Sequence, residues 1–240
     1  MGKTSSAGQE SGIGVIDKAV AILDAASRSS SSLADLMQRT ALPRATAHRL
    51  AVALEVHGLL ARDADGRFVP GPRLTELAAT RPDPLVAAAQ PVLAWVRDES
   101  GESAQLYRAL GAERVCVAVA ERASGLRTTV PIGAHLPLTA GSGAQVLAAW
   151  RTDPGLADLV SRAQFTERGL ADVRRRGWAH SVAQREAGVA SVSAPVFGVD
   201  GTVLAALSIS GPIERLGRAP GQRFAPILVR GARRISAALS

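Results

Sequence analysis

The chain has 240 residues and is 47% hydrophobic, enough for one large domain or two ordinary ones with real cores. It carries 28 Lys and Arg against 21 Asp and Glu, a formal charge of +7 that favours an anionic partner, but modestly. The single cysteine, Cys116, excludes an internal disulfide framework; no stretch approaches the ~20 apolar residues of a membrane span, and no signal-peptide core opens the chain, so a cytoplasmic protein is expected.

Net charge does not single out a nucleic-acid-binding half. Up to Arg81 there are 10 basic against 8 acidic residues, and beyond it 18 against 13. A local absence of acids is more informative, and it falls in residues 36–54.

Residues 1–12 are rich in Gly and Ser and read as a disordered tail. Residues 13–26 place Val15, Ala19, Ile22 and Leu23 on one helical face. After a polar connector over 27–31, a helix is predicted over 33–40 with Ser32 as its N-cap. Ala41-Leu42-Pro43 then bends the chain, and Pro43 suits the first turn of the next helix, predicted over 44–57. Ala47, Leu50, Val52 and Leu54 are available to a core, while Arg44, Thr46, His48 and Arg49 form a polar, partly basic leading end. Two helices meeting steeply, the second opening on hydrogen-bond donors, make a helix-turn-helix able to lay its second helix in a DNA major groove. Residues 58–62 end the helix and begin a strand, Asp65-Gly66 is a hairpin turn, and Arg67-Phe68-Val69 returns. Three helices and a hairpin describe a winged helix over residues 13–71, with Arg62 and Arg67 flanking the wing.

Residues 72–84 read as a linker helix followed by a hinge, Arg81-Pro82-Asp83-Pro84, because a residue before proline is pushed away from helix. A second domain is expected over 85–240. It opens with a helix over 85–99 whose main part starts at Pro91 and buries Val92, Leu93 and Val96 beside Trp95. Strands are predicted over 103–110, 114–120 and 126–132. Residues 136–139 lead into Ala140-Gly141-Ser142-Gly143, which opens an apolar helix ending near Trp150. Helices over 156–162 and 166–176, a strand over 178–182, a hairpin of 191–197 with 203–210, and a last helix over 222–239 complete the chain. Long hairpins with helices grouped between them make an α+β domain, an antiparallel sheet with helices against it.

The candidate DNA-binding residues are Ser32, Pro43, Arg44, Thr46, Ala47, His48, Arg49, Arg62 and Arg67. Arg44 and Arg49 suit a guanine edge or a phosphate, Thr46 a phosphate or a thymine methyl. The plainer alternative is a core helix with a solvated basic face. In the second domain, the small residues of Ala140-Gly141-Ser142-Gly143 leave backbone amides accessible at a helix N-terminus, where a small carboxylate is the natural guest. The plainer alternative there is a strand-to-helix turn eased by glycine. Arg174-Arg175-Arg176 lies at a helix C-terminus, where cations offset the dipole, and reads as a solvated end. His48, His57, His135 and His180 are scattered and form no metal spacing with Cys116. The serines lack the Gly-x-Ser-x-Gly elbow and an identifiable base. No enzyme, no metal and no cofactor is therefore expected.

The winged helix, followed in order by ESAQLYRALGAERVCVAVAE, VPIGAHLPLTAGSG, RRRGWAHSV, GVASVSAPVFGVDG and LAALSISGPIERL, resembles the IclR family of bacterial transcription regulators over residues 13–239. ESAQLYR, CVAVAE, RRRGWA and GVASVSAPV look most like its actinomycete branch, tied to amino-acid and leucine-biosynthesis control. The resemblance implies a winged helix, a linker helix and a GAF-like effector domain. It also implies homodimers or homotetramers on palindromic double-stranded operators, modulated by a small organic acid or amino acid. The alternative is a regulator whose C-terminal domain serves oligomerisation without sensing a metabolite. Carried over position by position, the family's effector pocket falls on Leu136, Ser142, Gly143, Ser181, Ser191, Ser208 and Ser210. Well-studied acid-binding members have an acidic group where Ser181 stands and a thiol where Ser191 stands. The pocket expected here is neutral and hydroxyl-rich, with no counter-charge for an amine.

Overall fold

A computed structural model describes residues 11–79, 83–125 and 130–239. The chain divides into two compact units, Met1–Pro82 and Asp83–Ser240.

The first unit contains α1 (Gly14–Arg28), α2 (Leu33–Thr40), α3 (Arg44–Val56), the antiparallel pair β1 (Leu60–Arg62) and β2 (Phe68–Pro70), and α4 (Pro72–Ala79). Local chemistry sets the start of α2. Ser32 Oγ accepts from the Asp35 amide, and the Asp35 carboxylate accepts from the Ser32 amide, a reciprocal capping box. Ala41 ends α2 in the left-handed region, at φ 55°. Pro43 stands at the N-cap of α3 rather than inside its first turn, with ψ 145°. Ile22, Leu36, Ala47, Ala51, Leu54, Leu60 and Phe68 form the core. The face expected for α1 is turned by part of a turn: Ile22, Ala25 and Ala26 are buried, whereas Val15 is exposed with Ile13, Ile16 and Val20.

The second unit contains α5 (Pro84–Ser100), β3 (Ser103–Leu110), β4 (Glu113–Ala120), β5 (His135–Pro137), α6 (Ser142–Ala149), α7 (Gly155–Ser161), α8 (Glu167–Arg176), β6 (Ala179–Val182), β7 (Val189–Phe197), β8 (Val203–Pro212), α9 (Ile213–Leu216) and α10 (Pro220–Ala237). Its six-stranded sheet has the order β5-β4-β3-β8-β7-β6, with every pair antiparallel. On one face, Leu93 and Val96 of α5 and Leu228 and Ile235 of α10 pack against Leu106, Val192, Leu207 and Ile209. On the other, Val146 and Leu147 of α6 and Leu170 and Val173 of α8 pack with Tyr107, Cys116 and Ala206.

Two expectations need correcting. Pro91 lies inside α5, which runs on through it from Pro84. The strand expected over 126–132 falls outside the described residues for 126–129, and residues 130–132 are not strand. The short helix α9 carried no clear sequence signal. Among the described residues no helix is long and apolar enough to cross a membrane, and no cluster of His, Cys, Asp and Glu suits a metal ion.

Candidate DNA-binding and effector sites

The polar leading end of α3 is exposed at Arg44, Ala45, His48 and Arg49, with Thr46 half-buried. Among the described residues, the side chains of Arg44, His48 and Arg49 make no hydrogen bond or ion pair with the protein. Pro43 offers no side-chain cap, and its carbonyl accepts from Thr46 and Ala47. The amides of Arg44 and Ala45 thus lack an acceptor within the helix, as first-turn amides do. Arginines, a histidine and two free amides at a positive dipole end suit phosphate and base edges.

The wing is braced from within. Arg62 pairs with Glu55 at 3.0 Å, stacks over the Phe68 ring at 4.1 Å and donates to the Gly66 carbonyl at 2.9 Å. Arg67 pairs with Asp35 at 2.7 Å and donates to the Ser30 carbonyl. Both arginines, expected among the DNA-binding residues, therefore have internal partners. The pairs are solvated, so a phosphate can compete for either guanidinium at small cost. Ala47 leaves the DNA-facing set: it is fully buried against the core, on the opposite side of α3 from Arg49. Ser32 has its hydroxyl engaged in the cap of α2. Ala45, exposed on the same end, was not among the expected residues, although helical spacing puts it one turn from both His48 and Arg49.

In the second unit a cavity opens at the start of α6. Six of the seven expected effector residues line it: Ser142, Gly143, Ser181, Ser191, Ser208 and Ser210. Register explains the convergence. Ser191 pairs with Ser181 on one side and with Ser210 on the other, while Ser193 pairs with Ser208, and Ser208 with Gln105. All these residues alternate with core residues such as Val192 and Ile209, so they share the opposite face. Leu136 does not line the cavity; it pairs with Arg114 across β4 and β5 and packs against the core under α6.

The hydroxyls form one chain. Ser181 Oγ lies 2.8 Å from Ser191 Oγ, and Ser142 Oγ lies 2.7 Å from both Ser191 Oγ and Ser193 Oγ. Ser193 Oγ then lies 2.6 Å from Ser208 Oγ. The Ser142 amide donates to Ser181 Oγ at 3.1 Å, and the Gly141 amide to Gln184 Oε1 at 3.1 Å. Gly141 has φ 93°, and an added Cβ there would lie 3.2 Å from Arg114 Nη2. A Cβ at Gly143 would meet Ser208 Oγ at 3.4 Å and Arg114 Nε at 3.5 Å. Glycine at both positions keeps the backbone close to the cavity wall.

The cavity is not neutral. Arg114, Arg185 and Glu186 line it together with Gln105, Tyr107, Gly141 and Val189; of these seven only Gly141, in the Ala140–Gly143 turn, was expected near a ligand. Arg114 is only 3% exposed, and burial pulls its pKa down to about 10, which leaves it charged at neutral pH. Burial pushes the Tyr107 phenol well above its ordinary range, so it stays neutral. Cys116 is likewise pushed up, to about 11, and is an inert buried thiol. A β-bulge aims Arg114. The register of β4 shifts between Leu106, which pairs with Ala118, and Tyr107, which pairs with Cys116. Ala118 therefore faces α5 and α10, whereas Cys116 and Arg114, lower on the same strand, face α6.

Residues 15–64 match the family described as the IclR helix-turn-helix domain, and residues 78–237 match the bacterial transcriptional regulator IclR C-terminal domain. The chain is 30% identical over 220 residues to the Pca regulon regulatory protein of Pseudomonas putida, covering 84% of this chain and 75% of that protein. Its fold is that of the IclR transcriptional regulator from Alicyclobacillus acidocaldarius, at a TM-score of 0.83 and 22% identity, over 95% of this chain and 99% of that one. An IclR homologue from Microbacterium hydrocarbonoxydans, solved in complex with 4-hydroxybenzoate, has a TM-score of 0.77 and 25% identity, over 94% of this chain and 98% of that one.

Proposed function

The chain belongs to the IclR family of bacterial transcriptional regulators, which are not enzymes, and on that premise we propose that it binds operator DNA through α3 and senses a small polar metabolite in the cavity at the start of α6. The observation that carries the DNA reading is the exposed face of Arg44, Ala45, His48 and Arg49, with its unpartnered side chains and first-turn amides. It acts as a homo-oligomer on palindromic operators. Support for self-association comes from Ile13, Val15, Ile16 and Val20, which leave α1 of the first unit with an apolar face in water. A two-fold pair presents two copies of α3 to successive major grooves. Such a partner of chromosomal DNA works in the cytoplasm.

The second unit holds the effector. The serine chain and the glycine-lined amides suit a ligand that makes several hydrogen bonds, and the Microbacterium homologue carries a small phenolic acid. On the motifs ESAQLYR and GVASVSAPV, the regulated genes belong to amino-acid metabolism, leucine biosynthesis among them. Ligand changes operator affinity only to the extent that it binds the DNA-competent and incompetent states unequally.

The test begins with mapping the promoters that the protein occupies in its host, which supplies the operator. Affinity for that operator is then measured for the wild type and for the Arg44→Ala, Arg49→Ala double variant. Each arginine that reads a base is worth ~1–3 kcal/mol. Unchanged affinity in a folded, dimeric double variant would falsify the assignment. Operator affinity insensitive to every cavity ligand would instead favour a C-terminal domain that serves oligomerisation alone.

A further inference from the structure

We propose that α10 carries a second DNA contact, a sequence-independent grip in which Arg223, Arg230 and Arg234 hold phosphates of duplex DNA. This rests on the reading of the chain as an operator-binding regulator and adds a contact in the second unit to the one made by α3.

The positive charge of the chain is concentrated in one place. After Glu214 the last 26 residues hold six arginines and no acid, whereas residues 82–214 hold 12 basic against 13 acidic residues. Of those six arginines only Arg215 has an acid partner, Glu102 at 2.6 Å. Exposed arginines on other helices are matched within one turn: Arg73 pairs with Glu76 at 2.8 Å, and Arg175 with Asp172 at 2.9 Å. α10 departs from this pattern. Arg223, Arg230, Arg233 and Arg234 are all exposed, and among the described residues none makes a hydrogen bond or an ion pair. The acids of α5, which packs beside α10, do not answer them. Asp83 is held by Arg108 and Asp98 by Arg97, and Glu99 pairs with none of the four. Like charges three and four residues apart, as at Arg230, Arg233 and Arg234, repel one another and weaken a helix. A face that only meets water has no need of that arrangement.

Spacing makes the arginines a strip. At about 100° per residue, positions 223, 230 and 234 fall within about 40° of one another around the helix. They span about 16 Å at roughly 1.5 Å per residue, the length of about five phosphates on one strand of duplex DNA at about 3.4 Å each. The exposed positions beside them, Gln222, Pro226 and Ala237, add no acid.

Trp95 of α5 orders the strip. The guanidinium carbons of Arg230 and Arg234 lie 5.6 and 5.0 Å from the centre of its ring. Stacking of this kind restricts two long side chains without neutralising them, and it leaves their N–H edges to phosphate oxygens. Trp95 is itself half-buried, so its ring positions arginines and is not a platform for an unstacked base. Duplex DNA is the polyanion that fits: its backbone offers a regular row of charges, and the helix-turn-helix domain of this chain already binds that polymer.

The experiment uses the full chain and a duplex of random sequence about 60 base pairs long, with affinity measured from about 50 to 200 mM salt. Four proteins are compared: the wild type, an α3 variant (Arg44→Ala, Arg49→Ala), an α10 variant (Arg223→Gln, Arg230→Gln, Arg234→Gln), and all five substitutions together. Glutamine keeps the helix propensity of arginine. Loss of three phosphate contacts should weaken binding at least about 10-fold at the lowest salt and flatten the slope of log affinity against log salt by about 2–3. The same loss should recur when the α10 substitutions are added to the α3 variant. Arg223→Lys, Arg230→Lys and Arg234→Lys together should keep the slope, since they keep the charge. An α10 variant with wild-type affinity and slope overturns the proposal. If that variant binds DNA like the wild type but loses a binding to poly-glutamate that the wild type shows, the strip takes an acidic protein and the DNA assignment again falls. Should the α10 variant fail to fold, Arg223→Gln alone, at the arginine that does not stack on Trp95, is expected to lower the slope by about 1; an unchanged slope there overturns the proposal too. Failure of the α3 reading looks different: the α3 variant then keeps its operator affinity, while the α10 effect on random DNA stands.

Discussion

Arg67 Nη2 lies 2.7 Å from the Asp35 carboxylate, so the wing of the first unit is tied to the group that closes the cap of α2. One side chain thereby serves two elements. Asp35 receives the Ser32 amide at 2.8 Å and the Ser32 hydroxyl at 2.8 Å, and it also fixes the hairpin that flanks α3.

Asp35→Ala should therefore cost more than an ordinary surface substitution. The substitution removes the reciprocal half of the capping box and a solvated ion pair but leaves the amide of residue 35 donating to the Ser32 hydroxyl. Chemical denaturation is expected to show a modest loss, larger than that of Arg67→Ala. Arg67→Ala, which leaves the cap intact, should fall below ~1 kcal/mol.

Acid should loosen the same unit. Hydrogen bonds from Ser32 hold Asp35 below the usual carboxylate value of 3.8, and bonds from Ser30 and the Arg67 amide do the same for Asp63. A carboxyl whose pKa is lower folded than unfolded contributes stability above the unfolded value and loses it as pH falls through the folded one. Stability should thus hold down to about pH 4 and decline below it. In the Asp35→Asn, Asp63→Asn double variant the decline should be shallower; an identical acid slope would show that other groups govern it.

Ala41 occupies the left-handed region at φ 55° without the freedom of glycine. That conformation costs an L-residue ~1–2 kcal/mol, partly offset by the entropy that an alanine removes from the unfolded chain. Ala41→Gly should stabilise the helix-turn-helix by about 0.5–1 kcal/mol, read as a higher denaturation midpoint at unchanged slope. A lower midpoint would mean that the Ala41 methyl group packs usefully.

Gly221, in the first turn of α10, faces the Trp178 ring so closely that an added Cβ would sit 2.1 Å from its Cζ3. Gly221→Ala should destabilise the second unit by ~1–3 kcal/mol despite alanine's better helix propensity. The near-ultraviolet signal of Trp178 should shift with it.

Salt titration separates the roles of the two α3 arginines. If Arg49 holds a phosphate, Arg49→Ala weakens all DNA alike and lowers the slope of log affinity against log salt by about 1. If it reads a base, the slope stays and discrimination among operator variants relaxes. Ala45→Glu should abolish binding in either case, since it places an acid on the face proposed to meet DNA.

Much of the helix-turn-helix was legible because its signals are local. A serine with an aspartate three residues on, a proline before a run of helix formers, and Asp-Gly between short strands each act within one turn of the chain. The same locality explains the hydroxyl wall: Ser208 and Ser210 share a face by alternation alone. The phase of α1 was harder to read, because Val15 and Ile22 are equally apolar and only packing decides which meets Leu36. Arg114 was not legible. In Arg114-Val115-Cys116-Val117-Ala118 both phases of the strand are apolar, so alternation assigns no buried side.

The amino-acid order by itself determined a winged helix and, after it in the chain, an antiparallel α+β unit, since short-range periodicity and capping need no distant partner; of the serines that meet near α6, alternation grouped Ser208 with Ser210, Ser142, Ser181 and Ser191 followed from the family resemblance, and Ser193 was not expected. The electrostatics of that meeting place came only with the tertiary structure. The bulge between Cys116 and Ala118 turns Arg114 away from the helices α5 and α10 and into a wall of neutral donors. A one-residue slip in strand pairing reverses the face of every side chain beyond it, and nothing in a strand's own residues announces where its neighbour imposes one.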